Sequence, residues 1–385
     1  MIATDEMCTQ MQGTDSGRST SALLSLVRLE GLMDNSDGDP SVSVGIIDGP
    51  LDVSHPAFSG ATLSTVRPTQ LAACQDARSA ACSHGTAIAG ILCAKRGLPA
   101  PAICPSCTFL FYPIFPEKDG CAWVTPGELA RAIVETVDAG ARIINLSLGV
   151  IPVDTSVDRE LDGACNYAAR RGVVLVAAAG NQGRIGFLPL LNHPWVTPIV
   201  SCDFAGRVTP ESNLSPTIGT RGLSAPGVTI LTAAPGGNYA PISGTSAAAA
   251  IVTGSMALLW SASPATPAVA LRAAVLGSAG RQRRSLVPPL LDVEAARKRW
   301  PTSVIIRREN DMSEGMTQAE LHQAPIVTEP VVAIRQSAAR GPAARSNPPL
   351  GRVMFSQTAP CPTCAAGESQ NSGPATFIFA IGQAM

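Results

Sequence analysis

Between residues 41 and 300 the chain repeats one unit, an apolar run, a loop and a helix-period segment, through VSVGIID, TAIAGILCA, CTFLFYPIF, PGELARAIVETVDAG, ARIINLSLG, LDGACNYAARRG and VVLVAAAGN. Strands separated by helices pair in parallel and carry the helices as covering layers. The strand runs are almost continuously apolar, the pattern of strands buried on both faces rather than one. The expected fold class is therefore α/β, with three layers: a parallel sheet with helices on both faces.

The helical segments carry their own punctuation. Over 126–139, Thr125 can cap, Pro126 suits the first helical position, and Leu129, Ile133, Val134 and Val137 recur on one face before Gly140 ends the run. The segment 247–260 is the most apolar of the chain. It is too short to span a bilayer and is interrupted by Thr253, Gly254 and Ser255, so a buried helix is expected. A further helix is expected over 267–276, and one over 20–33 within an N-terminal extension of residues 1–40. Residues 301–350, rich in Pro, Ala, Arg and Ser, read as a linker, and residues 351–385 as a tail containing Cys and Gly.

With 45% apolar and 15% charged residues, the 385-residue chain has material for one large core plus appendages. A formal net charge of −1 gives no general attraction to nucleic acid or to an anionic membrane, and neither partner is expected. The first twenty residues lack a basic start and an apolar stretch, so no export signal is read and a cytoplasmic location is expected.

Eleven cysteines in a reducing compartment argue against a disulfide framework. Two C-x-x-C pairs, Cys104/Cys107 and Cys361/Cys364, have the chemistry to close a tetrahedral zinc site. Each pair reads more simply as a turn with two small residues, since no spacing rule joins them. No metal and no cofactor are assigned.

Four segments carry chemistry. Asp48 in VSVGIIDG follows the apolar run 44–47, at the carboxyl end of a strand where parallel sheets build their sites, whereas Asp52 lies beyond the Gly49-Pro50 turn. His84 in CSHGTAIAG opens a helix of small residues, with Gly85 and Gly90 allowing close packing; His55, His193 and His322 lack that context. Ser246 in ISGTSAAAA stands at a helix start, where a backbone N–H without an acceptor lies beside the hydroxyl. Asn181, ending VVLVAAAGN, can aim a side-chain amide at the same place.

Taken singly, these residues read as a helix-start His, a Ser N-cap and a turn Asn. Together they supply a nucleophile, a base, an orienting acid and an oxyanion donor, the set that serine acyl transfer requires. Ser147, Leu148 and Gly149, after the strand 142–146, offer an edge to which an extended peptide can add.

The four motifs, in the chain order Asp48, His84, Asn181 and Ser246, resemble the subtilisin-like serine peptidases over residues 41–300. The resemblance implies a subtilisin-like sheet, Asp48, His84 and Ser246 as catalytic triad, Asn181 as oxyanion donor, and Ser147, Leu148 and Gly149 as a substrate-binding strand. Within that family DGPLDVSHPAFSGA, YPIF, AAAGNQG and SAPGVTILTAAPGG, with the tail ending in TFIFAIG, look like the cyanobactin-maturation proteases. Those cut a ribosomally made precursor peptide.

One kind removes the leader, and the other closes the ring and carries an inserted helical cap near the Asp and His segments. His84 follows Asp48 by 36 positions, which leaves no room for a cap and implies leader removal. Two departures stand out: Ala250 replaces the usual Pro four positions after the nucleophile, and no long pro-segment precedes Ser41. Ala is a good helix former, so activity is expected to persist. A general intracellular protease and a non-catalytic peptide binder are the alternatives.

Overall fold

The computed structural model describes residues 21–67, 73–117, 123–151, 159–186, 189–278, 285–300 and 352–355. Seven strands form one parallel sheet: β1 (Ser43–Asp48), β2 (Thr62–Thr65), β3 (Thr108–Pro113), β5 (Ile143–Leu146), β7 (Val174–Ala178), β8 (Val196–Cys202) and β9 (Leu223–Pro226), in the order β2-β3-β1-β5-β7-β8-β9. The order reverses at β1. Such a switch point opens a crevice at the carboxyl ends of the strands, and Asp48 is the last residue of β1.

Side-chain alternation divides the core into the two faces foreseen from the apolar runs. Val44 and Ile46 of β1, Phe109 and Phe111 of β3, and Val174 and Val176 of β7 pack on one face. Ile47, Leu110, Tyr112, Leu175 and Ala177 pack on the other. The first face is covered by α1 (Ala80–Cys93) and the long helix over residues 245–261, the second by helices over residues 126–138 and 159–170. In chain order these last three are α2 (Pro126–Asp138), α3 (Arg159–Arg170) and α4 (Thr245–Ser261), and α5 (Ala268–Ser278) follows.

The two central helices on the first face are apolar all round, as burial on every side demands: α4 is buried from Thr245 to Trp260. α2 is amphipathic instead, and it starts as its sequence directs. Thr125 accepts from the Glu128 N–H, while the Glu128 carboxylate accepts from the Thr125 N–H, which satisfies two donors that the helix start leaves open. Among the described residues no helix is long and apolar enough to cross a membrane.

Outside the main sheet, β10 (Ile230–Ala234) and β11 (Asn238–Ile242) form a hairpin. A three-stranded antiparallel sheet has the order β4 (Trp123–Val124), β12 (Arg352–Phe355) and β6 (Leu148–Ile151).

Two expectations are corrected. The single helix over 20–33 is broken: residues 21–26 and Glu30–Met33 are helical, and Arg28 between them has φ +55°. Val27 and Leu29 flank it fully buried, so tertiary packing overrides the local helical pattern.

A disulfide joins Cys74 and Cys82, where no disulfide framework is expected. Parity and compartment speak to a framework of bridges, not to one pair eight residues apart, and here the Leu51–Ala73 bridge carries Cys74 to the first turn of α1. The Glu117 carboxylate lies beside the two sulfurs and accepts from the Gln75 and Asp76 N–H groups. With both thiols spent on the bond, that trio has no thiolate to give a metal.

Within residues 351–385, read as a tail containing Cys and Gly, Arg352–Phe355 form β12 of the three-stranded sheet. The proposed zinc site rests partly on Cys361 and Cys364, which lie outside the described residues. Cys104 and Cys107 are both buried in a turn closed by the Cys107 N–H to the Cys104 carbonyl. Burial holds the Cys104 thiol well above the usual range, and the hydrogen bond between the two thiols lowers that of Cys107.

Candidate active site

Asp48 and His84 meet because two backbones pack in direct contact. A Cβ on Gly49 would lie 2.1 Å from the Ala81 carbonyl oxygen, and one on Gly85 would lie 2.5 Å from the carbonyl oxygens of Gly49 and Pro50. Only glycine allows the turn after β1 to sit on the first turn of α1 at this distance. Gly85→Ala is accordingly expected to push α1 away from β1, costing about 1–3 kcal/mol of stability by urea denaturation. Any hydrolysis that depends on His84 should fall with it.

The result of that packing is a buried ion-pair geometry. His84 Nδ1 lies 2.7 Å from Asp48 Oδ1, and the same oxygen accepts from the Gly49 N–H at 2.7 Å. An ionised carboxylate only accepts, so the proton of the bond sits on Nδ1 and the lone pair of the imidazole is on Nε2. Asp48 is fully buried and His84 nearly so. In this tautomer the ring is a base pointing away from its acid.

Ser246 is the second residue of α4, whose N-cap, Gly244, has φ +120° and so adopts a conformation that L side chains rarely reach. Its hydroxyl is buried and has no hydrogen-bond partner among the described residues. Asn181 is locked to the same helix start: the Thr245 N–H donates to Asn181 Oδ1 at 2.8 Å, and the Gly180 N–H donates to Thr245 Oγ1 at 3.0 Å. Because Oδ1 is the acceptor, donation from this carboxamide falls to Nδ2, which lies against Gly244.

Ser147, Leu148 and Gly149 follow directly on β5, the neighbour of β1. A chain of buried polar groups ties them to α4. Thr253 Oγ1 donates to Asn145 Oδ1 at 2.9 Å, Asn145 Nδ2 donates to Ser147 Oγ at 2.7 Å, and Ser147 Oγ reaches the Ser246 carbonyl at 3.5 Å. The polar interruption of the apolar helix at Thr253 thereby finds its reason: a buried hydroxyl needs a partner, and Asn145 supplies it. Leu148 and Gly149 open β6, next to β12.

The remaining candidates are engaged elsewhere. Asp52 accepts from Ser54 and from the Gly236 N–H, pinning its loop to the β10–β11 hairpin. His55 accepts from the Ala57 N–H and donates to the Asn238 carbonyl. His193 accepts from the Trp195 N–H and faces Asp162 at 3.8 Å. His322 lies outside the described residues.

Asn213 was not foreseen. It receives the Gln182 N–H and the Arg184 N–H on its side-chain oxygen, donates to the Ala179 carbonyl, and gives its own N–H to the Gly180 carbonyl, so it holds the whole turn that carries Asn181. Its sequence context, a turn-rich stretch of Pro, Ser and Asn, looks like any polar loop. Only contact across 30 or so residues gives it a role.

The geometry now on the page can be set beside known proteins. The subtilase family model matches residues 39–304. Among solved structures, the protease domain of PatA, the patellamide maturation protease, is 36% identical with a TM-score of 0.63, covering 67% of this chain and 94% of that one. The prenylagaramide maturation protease PagA is 30% identical with a TM-score of 0.62, covering 71% and 98%.

Subtilisin E of Bacillus subtilis (strain 168) is 30% identical over 231 residues, which are 58% of this chain and 56% of the relative. The chain spans about half the length of most of the curated relatives it matches. The parallel sheet, the helices on both of its faces and a match running through more than half of the sequence establish that the chain belongs to the subtilase family.

Proposed function

We propose that the protein is a serine endopeptidase that removes the leader from a ribosomally made precursor peptide, with Ser246 as nucleophile, His84 as general base, Asp48 as its orienting acid and Asn181 as oxyanion donor. The observation that carries the chemistry is the hydrogen bond from His84 Nδ1 to a fully buried Asp48, which leaves Nε2 with the lone pair of a base. Ser246 Oγ passes its proton to Nε2 as it bonds to the peptide carbonyl. The oxyanion forms beside the Ser246 N–H at the start of α4 and the Asn181 amide. His84 then protonates the leaving amine, and water repeats the sequence to release the acyl group.

The preference for leader removal is supported by the short connection between Asp48 and His84. Among its described residues it holds the 3-10 turn Pro56–Phe58 and the edge strand β2, and no α-helix precedes α1. The resemblance to two peptide-maturation proteases at 30% identity or more supports the same choice of substrate class.

Two measurements test this reading. Asn181→Ala is expected to slow turnover about 100- to 1000-fold with little change in KM, since an oxyanion donor acts in the transition state. A steady-state comparison of kcat and KM checks it. For substrate class, a precursor peptide encoded beside this gene is incubated in parallel with casein. Cutting at one leader–core junction with casein left intact is expected, and rapid breakdown of casein would contradict dedicated processing in favour of a general protease.

A further inference from the structure

Beside the catalytic pair, and taking no part in its chemistry, two sulfurs and a carboxylate converge. The Sγ atoms of Cys74 and Cys82 and a carboxylate oxygen of Glu117 all lie within 4.8 Å of one another. Among the described residues no other three side chains able to ligate a metal come so close. Separate parts of the fold supply them: Cys82 the first turn of α1, Cys74 the loop that pairs with Leu51, and Glu117 the chain leaving β3.

Glu117 is aimed by the backbone of the Cys74 loop. One of its oxygens accepts from the Gln75 N–H at 2.7 Å and the other from the Asp76 N–H at 3.3 Å. Each oxygen keeps a second lone pair, so the carboxylate is oriented by an outer shell and still free to bind an ion. The sulfurs become ligands once their bond opens. A dithiol reductant supplies the two electrons: the S–S bond breaks, both cysteines become thiols, and the dithiol closes to its own disulfide. With Cα atoms 5.5 Å apart, both thiols stay within reach of one ion. Zn–S bonds of about 2.3 Å in a tetrahedron set two sulfurs about 3.8 Å apart. Cys82 is the third residue of α1, where the helix start favours a thiolate, and Cys74 and Glu117 are only half-buried, which gives an ion a way in.

We propose that Cys74, Cys82 and Glu117 form a zinc site that opens when the disulfide between the two cysteines is reduced. Zinc displaces one proton from each thiol and binds two thiolates and one carboxylate oxygen, with water in the fourth position. Two thiolates select an ion of this kind against calcium and magnesium, which take oxygen ligands. The ion then takes over from the covalent bond. The Cys74 N–H donates to the carbonyl of Leu51, three residues beyond Asp48, and Cys82 stands two residues before His84. Either form of the link ties the segment that carries the acid to the helix that carries the base.

The test compares the oxidised full-length chain with the same chain reduced by a dithiol that is then removed under nitrogen. Both carry Cys361→Ser and Cys364→Ser, so that the C-x-x-C pair of the tail does not compete for metal. Zinc is counted per chain after equilibrium dialysis, and cobalt(II) in its place reports its ligands through thiolate-to-metal charge-transfer absorption. Expected is one zinc per reduced chain and none per oxidised chain, with excess calcium or magnesium unable to displace it. Zinc should raise the Tm of the reduced chain and leave that of the oxidised chain unchanged. Loss of an outer-shell partner alone weakens a metal site about 10- to 100-fold, so Glu117→Gln is expected to weaken zinc at least tenfold, and Cys74→Ser to abolish the site. A reduced chain that takes up no zinc, or a Cys74→Ser chain that binds it as tightly, overturns the proposal. Should reduction unfold the chain, zinc is expected to restore its near-ultraviolet circular dichroism, and no recovery overturns the proposal equally.

Discussion

Ser246→Ala is expected to lower kcat on a cleavable peptide by about a million-fold, the scale on which nucleophile, base and acid act as one unit. The hydroxyl it removes is buried at the start of α4 and bonds to nothing described, so its loss breaks no hydrogen bond and opens little space. Fold and peptide binding should therefore survive. A melting curve within a few degrees of the parent, beside a collapsed kcat, distinguishes loss of chemistry from loss of structure. His84→Ala should fall as far, and the double variant no further, because neither group activates anything alone.

Asp48→Asn is expected to cost about 10,000-fold in kcat with the backbone unmoved. The reason lies in the charge of one oxygen. Asp48 Oδ1 accepts from both His84 Nδ1 and the Gly49 N–H. An Asn oxygen held there by the Gly49 N–H keeps the acceptor but not the charge, so an imidazolium forming at His84 loses the anion that stabilises it. Steady-state kinetics with a crystal structure of the variant checks both halves: geometry kept, rate lost.

The legibility of the fold in the sequence followed the range of the interactions. Apolar runs such as those ending at Asp48 and Ala178 specified strands buried on both faces, since a strand's two faces are written in consecutive residues. The cap of α2 was legible because Thr125 stands directly before a Pro suited to the first helical position. Asp48, His84, Ser246 and Asn181 were singled out by local setting, a strand end, two helix starts and a turn; the structure then joins Asp48 to His84 and Asn181 to the start of the helix that carries Ser246.

What could not be read depends on partners far along the chain. Arg28 breaks a helical pattern because Val27 and Leu29 both have to be buried. Cys74 reaches Cys82 only after residues 51 and 73 pair. Asn213 steadies the Asn181 turn, and Arg352–Phe355 inserts between two short strands over two hundred residues away in sequence. Four residues with no helical or alternating signature carry no sign of their destination. Strand insertion is fixed by the edges that receive it.

Everything proposed for this crevice depends on one side chain being unusually reactive. A fluorophosphonate probe followed by peptide mapping asks the question directly. The adduct should fall on the peptide that contains Ser246, and it should vanish in His84→Ala, which keeps the hydroxyl but removes its base. A folded protein that stays unmodified, or one modified at another serine, would contradict the assignment.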